Sequence, residues 1–338
     1  MAMTIYDISK KAGVSIATVS RVLNGSENVR PSTRKKVMDV IDKYDYTPNA
    51  FARGMGLHSL KTIGILCADS SDLFLAKAVY FLEQELQANG YESLLCCTGY
   101  NPDIKKNYLN LILSKKVDSI ILVGSHFIGF NEDENQYIKD VSTQVPIMLL
   151  NASFDHPNVY STLCDDYGTM FEAATEMIQS GITKILYLYD SKSYSGLKKL
   201  HGFCDAMKEH NIPGFEKLIH FYDGNIEHLN EVADFVAHIA KKGTPFHGIM
   251  TSDDSLAIGS IKYAQKKGIR IPEELSVMGY NNSMLTNCCT PELTSVDNRL
   301  ETQTHQLVQT LLGVLAGEEM PKKSIFSGKI IKRGTTLF

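Results

Sequence analysis

The chain has 338 residues, 43% apolar and 21% charged, a globular composition with length enough for two or three domains. No stretch approaches about eighteen uninterrupted apolar residues. Residues 1–7 lack the basic and apolar regions of an export signal, so no membrane partner and a cytoplasmic location are expected. The net charge of −4 is unevenly divided: residues 1–61 carry +5 and the remainder −9, so one end suits a polyanion.

The first sixty residues read as short helices with almost no strand signal. Thr4 and Asp7 fit a capping box, and Ile5, Ile8 and Ala12 fall on one helix face that Gly13 ends. Ser15 suits the N-cap of a second helix with Val19, Val22 and Leu23 inward, and Asn24-Gly25 stops it. Pro31 suits the first turn of a third helix with Val37, Ile41 and Tyr44 inward. Pro48 opens a fourth short segment over 49–57.

From residue 62 the pattern changes to short β-rich runs separated by helical stretches. Nine strands are expected, at 62–68, 91–97, 118–124, 146–151, 161–166, 184–190, 217–222, 247–252 and 275–280. Continuously apolar strands alternating with helices imply parallel βαβ units covered on both faces. Nine strands exceed one comfortable sheet, so two α/β subdomains are expected, with a hinge near 161–162. The seven cysteines show no C-x-x-C spacing, and Cys96 and Cys97 lie in an apolar run. Buried reduced thiols are expected, with no metal and no cofactor.

Two short helices joined by a Gly-containing turn, the second N-capped, form the pattern of a helix-turn-helix DNA reader. Ile16, Ala17, Thr18, Ser20 and Arg21 face outward on the second helix. Arg21 suits a guanine edge, and Ile16 and Ala17 suit thymine methyls. Ser15, Thr18, Asn24 and the Arg34-Lys35 pair suit phosphates. No P-loop, H-E-x-x-H, G-x-S-x-G or G-x-G-x-x-G motif occurs, so no catalytic residue is nominated.

The string TIYDISKKAGVSIATVSRVLNGSENVRPSTRKKV, continuing to YTPNAFARG, closely resembles the headpiece of the LacI/GalR family of lactose- and purine-repressor-like regulators. Within it, the headpiece is most like that of the catabolite control proteins. Over 62–338 the likeness is one of layout, with the landmarks SDDSLAIG (252–259), VMGYNN (277–282) and PELTSV (291–296). The resemblance implies an N-terminal all-α helix-turn-helix headpiece over 1–47 and a hinge helix with linker over 48–61. A periplasmic-binding-protein-like α/β core of two doubly wound subdomains follows over 62–338. The first subdomain is expected at about 62–161 and 291–321, the second at about 162–290 and 322–338.

By the same resemblance the protein is a repressor that binds double-stranded palindromic operator DNA as a homodimer, associated with the nucleoid when bound. Thr4 and Asn49 match DNA-contacting positions, and Met55 matches the apolar wedge that opens a central base step. Gly54 and Gly56 each weaken isolated helicity by about 1 kcal/mol relative to Ala, as suits a hinge that orders on DNA. The effector cleft would be built from Phe74, Leu75, Ser125, Asn151, Lys199, Tyr222, Asp253 and Asn281. Its ligand would be a sugar, a sugar phosphate or a small anion. Asn281 stands where the family commonly has a carboxylate, Lys199 where it has Arg, and Gly224 where it has a stacking ring. With Asp253 the one obvious cleft carboxylate, an anionic effector is favoured over a plain hexose. A protein corepressor is the alternative control, although 292–307 does not clearly reproduce the corresponding docking surface.

Overall fold

The structure, a computed structural model, describes residues 3–23, 26, 28–46, 59–243 and 245–338. Of the hinge helix and linker expected over 48–61, residues 48–58, with Asn49 and Met55, lie outside the described residues, as do Asn24 and Gly25.

The headpiece holds α1 (Ile5–Ala12), α2 (Ile16–Leu23) and α3 (Pro31–Lys43). Thr4 and Asp7 form the capping box, with the Asp7 carboxylate accepting from Thr4 N at 3.0 Å, and Gly13 ends α1 at φ 63°. Ser15 Oγ accepts from Thr18 N at 3.2 Å at the start of α2. Ile8, Ala12, Val19, Val22, Val37 and Ile41 close a small core. Tyr44 is not part of it. Its ring is 38% exposed with the Lys11 ammonium 4.3 Å away, and Tyr46 takes the inward place beyond the helix end.

The core contains two six-stranded sheets. The first runs β1 (Thr62–Cys67), β2 (Glu92–Cys97), β3 (Ser119–Val123), β4 (Ile147–Leu150), β5 (Val159–Cys164) and β11 (Lys323–Phe326), in the order β11-β5-β4-β3-β1-β2, all parallel. The helices α4 (Leu73–Ala88), α5 (Pro102–Ser114), α6 (Gln136–Ser142) and α11 (Leu300–Leu315) belong with it. The second runs β6 (Ile185–Tyr189), β7 (Ile219–Phe221), β8 (Gly248–Thr251), β9 (Ser276–Tyr280), β10 (Thr294–Asp297) and β12 (Lys329–Ile331), in the order β12-β10-β9-β8-β6-β7. Only β12 is antiparallel among its described pairings. Its helices are α7 (Asp166–Gln179), α8 (Tyr194–Glu209), α9 (Leu229–Lys241) and α10 (Asp254–Lys267).

Central strands such as β3 and β4 are buried along their whole length, which is why they are apolar on both faces. Each fully buried Ile, Leu or Val there contributes about 1.5–3 kcal/mol. The edge strand β2 is different. Leu94, Leu95 and Cys97 are exposed, and so is Cys288, so the expectation of uniformly buried thiols holds for Cys67 and Cys164 but not for these two; all seven are free.

The chain crosses between sheets after β5, after β10 and after β11. The expected hinge at 161–162 and the expected subdomain limits therefore shift. β5 completes its pairing with the first sheet before crossing at Asp165, β10 belongs to the second sheet and β11 to the first. Three strands, β10 to β12, were not expected as strands. They are short, and two are edge strands with alternating or partial burial, so they lack a continuous apolar run. The crossings are tied together: Asp165 N donates to Phe326 O at 2.8 Å, and Gly328 N to Thr169 Oγ1 at 2.9 Å.

Candidate DNA interface and effector cleft

On the headpiece, the helix-turn-helix leaves Ser15, Ile16, Ala17 and Arg21 exposed around α2, with Thr18 and Ser20 half-buried beside them. Val19 and Val22 point inward because they fall on the opposite helix face. Ile16, an apolar side chain at the N-terminal end of α2, is 40% exposed. The amides of this first turn face outward with a positive dipole end, suited to phosphate. Thr4 is engaged in its cap, and Arg34 Nη2 donates to Ser26 O at 2.5 Å, which ties Ser26 to α3. Lys35 and Lys36 are exposed. Tyr6 on α1, which the sequence reading passed over, is 68% exposed.

The second site lies between the two sheets, at the carboxyl ends of their central strands, where open α/β sheets bind ligands. Phe74, Leu75, Ser125, Asn151, Lys199, Asp253 and Asn281 all line one cavity of about 90 Å³. Tyr222 lines the adjoining mouth instead, its ring buried against Phe235 at 5.2 Å. Asn151 and Asn281 have φ of 65° and 95°, where each strand end turns sharply into the cleft, a conformation Asn tolerates better than most residues. Gly124 has φ 101°, and a Cβ there would stand 2.8 Å from Leu75 Cδ2, so the wall closes on glycine alone.

Hydroxyls bridge the cleft directly. Ser125 Oγ donates to Ser193 Oγ at 2.8 Å, and Ser191 Oγ stands 3.4 Å from His126 Nε2. Burial, then the Lys105 ammonium, depresses His126 to about 4, so its ring is neutral.

Lys199 is 7% exposed and committed to the floor. Its ammonium donates to Ser252 O at 3.1 Å and lies 3.9 Å from the centre of the Tyr280 ring. Beneath it Asp166 accepts from Ser195 Oγ at 2.5 Å and from Tyr280 OH at 2.7 Å. Burial pushes the Asp166 carboxyl up, and the nearby Lys199 charge is the largest influence opposing this. Asp253 does not pair with Lys199. Its carboxylate accepts from Asn281 Nδ2 at 2.9 Å and from Ser255 N at 2.7 Å.

The sequence counted one carboxylate in this wall; Asp72 and Asp190 also line it. Asp72 caps α4, accepting from Leu75 N at 2.8 Å, and Asp190 follows β6, accepting from Ser252 Oγ at 2.8 Å. The wall, expected to favour an anionic effector, is therefore acidic. Tyr100, Ser191, Ser193 and Ser252 were missed with them. The one available signal was position, since Asp190 and Ser252 each directly follow an apolar strand run.

A helix-turn-helix headpiece joined to a binding-protein-like core with a cleft between its sheets defines a DNA-binding transcriptional regulator with an effector-binding core. Residues 4–49 match the model of the bacterial regulatory proteins of the lacI family, and residues 174–336 match that of the periplasmic binding protein-like domain. An HTH-type transcriptional regulator of Lachnoclostridium phytofermentans is 50% identical over 99% of this chain and 100% of its own. Catabolite control protein A of Priestia megaterium is 33% identical over 88% of this chain and 87% of its own. The lac repressor dimer bound to operator and the anti-inducer ONPF superposes with a TM-score of 0.89 at 20% identity, covering 100% of both chains. The chain belongs to the lacI family of bacterial regulatory proteins. Among the described residues, no helix is long and apolar enough to cross a membrane.

Proposed function

We propose that this protein is a repressor that binds a palindromic operator as a homodimer and is switched by a small molecule in the cleft. The observation that carries the reading is one chain holding both an outward-facing, N-capped second helix and a lined cavity between two sheets joined by three crossings. Arg21 would read a guanine edge, Ile16 and Ala17 thymine methyls, and Ser15 and Lys35 phosphates. One headpiece reads a half-site, so a two-fold protein matches a two-fold operator. The exposed Leu94 and Leu95 of edge strand β2 supply apolar surface suited to a second copy. Closure of the cleft on a ligand would change the angle between the subdomains, and the hinge helix and linker expected over 48–61 would carry that change to the headpieces.

The acidic wall disfavours an anionic effector. Carboxylates accept hydrogen bonds from hydroxyls and amines and repel phosphate, which leaves a neutral or cationic ligand rich in hydrogen-bond donors as the better fit. Selection of random duplexes by the full chain, followed by sequencing, should return a palindrome whose affinity changes with added ligand. Recovery of unrelated duplexes would refute sequence-specific binding. A palindrome bound only with a protein from cell extract would replace the small-molecule switch with a protein corepressor.

A further inference from the structure

Resting on the effector reading above, the charge of the cleft narrows what it can hold. The cavity itself marks the place: Ser125, Ser195 and Ser252 are more than nine-tenths buried and still line it. Asp72, Asp190 and Asp253 line both this cavity and its mouth. Each is set by its neighbourhood in the chain, as the cap of α4, the end of β6 and the cap of α10.

Among the described residues, Lys199 is the one Lys or Arg that lines this cavity, and its charge offsets the burial of Asp253 only in part. The Lys199 ammonium is held by Ser252 O and the Tyr280 ring, and the Lys105 ammonium by His126 O at 2.6 Å. Among the described residues, none of the three carboxylates has a Lys, Arg or His nitrogen within 4.0 Å. Burial, and then the neighbouring carboxylate, pushes both Asp72 and Asp253 up. The ring of Tyr100, 52% exposed and edge-on to His126 at 4.8 Å, completes this side of the cavity. An aromatic face beside carboxylates attracts a cation. A hydroxyl can donate to one of these carboxylates but leaves their mutual repulsion in place. An ammonium carries three donors and one positive charge, and so answers both.

We propose that Asp72, Asp190 and Asp253 are the specificity-determining residues of the cleft and that its ligand carries a protonated amine seated among them, beside Tyr100. Two kinds of molecule share that chemistry, amino sugars and aliphatic polyamines, and the test separates them. Full-length protein is titrated by calorimetry with glucosamine and galactosamine in one arm, and with putrescine and spermidine in the other. The controls are the N-acetylated forms of each, glucose, galactose and glucose 6-phosphate.

The expected result is that at least one amine binds at least tenfold more tightly than its N-acetylated form. In Asp190→Asn and Asp72→Asn that preference should shrink at least tenfold, while the ligand-free Tm stays level or rises because a repelling charge has gone. Asn caps a helix about as well as Asp, so the second variant keeps α4 intact. Failure of every amine to bind overturns the proposal. So does a neutral hexose or hexose phosphate that binds as tightly as the best amine, or an amine preference that survives both variants. A neutral hexose that binds as tightly as the best amine and shifts operator affinity would overturn the amine alone and leave the regulator reading standing. Loss of operator selection would strike that reading separately.

Discussion

Replacing Lys199 by Met removes the ammonium while keeping most of the side-chain volume, so no large cavity complicates the result. The variant loses a charged hydrogen bond to Ser252 O and a cation–π contact with Tyr280, and it strips the counter-charge from buried Asp166. Hydrogen bonds to charged groups contribute about 1.5–3 kcal/mol and a desolvated cation–π contact about 2 kcal/mol. These overlap with the cost of an uncompensated buried charge, which by itself runs to about 3–5 kcal/mol. A loss of about 3–5 kcal/mol is therefore expected. At roughly 2–4 °C per kcal/mol for a domain of this size, the Tm of the core should fall by about 10 °C. Adding Asp166→Asn should recover more than about 1 kcal/mol, because the stranded carboxylate has gone. The deficit should also shrink in acid, where Asp166 takes up a proton and no longer needs a partner. A Lys199→Met protein within about 1 kcal/mol of wild type, by thermal or urea unfolding, would refute the structural role. It would return Lys199 to the set of groups free to hold a ligand.

Asp254 accepts from Ser283 N and Ser295 Oγ, both at 2.6 Å, and burial followed by the Asp253 charge raises it to about 7. Its folded value lies above its unfolded one, so its ionisation destabilises the fold progressively as pH rises from about 4 through 7. Asp254→Asn should therefore gain Tm relative to wild type at pH 8 compared with pH 5; an unchanged difference would refute the assignment. His126, depressed to about 4, acts in the opposite sense between about 6.5 and 4, but it is common to both proteins and cancels in the comparison. Arg21→Ala should cost about 1–3 kcal/mol in operator binding and relax preference at one base per half-site, and equal weakening on random DNA would reduce it to a phosphate contact. Lys35→Ala should weaken all sequences alike and lower the salt slope by about one, read by anisotropy across a salt series. Met55→Ala should reduce operator bending in a circular-permutation gel while leaving Tm unchanged, and an unchanged bend would remove the wedge.

The headpiece was legible in the sequence because its determinants are local. Thr4 and Asp7 meet within one turn, Gly13 supplies the left-handed stop, and the spacing of Val19 and Val22 fixes the buried face of α2. Tyr44 misled because the helical period was extended one residue beyond the last helical turn, past which Tyr46 fills the core. The long apolar runs likewise announced the central strands and the two-sheet core. Which sheet each late strand joins could not be read the same way. β10, β11 and β12 pair with partners chosen by the three crossings, and their own short sequences do not name them. The charge of the cleft was still further from view. Asp72, Asp190 and Asp253 are more than sixty positions apart and become neighbours only when strand ends from different sheets meet. Lys199 looked available in the sequence, and Ser252, Tyr280 and Asp166 engage it only in the folded chain. The sequence by itself determined the modules and the reading helix, because turns, caps and periodicity act over a few residues. The sign of the cleft was decided by tertiary structure alone, because electrostatic neighbours are set by distance through space.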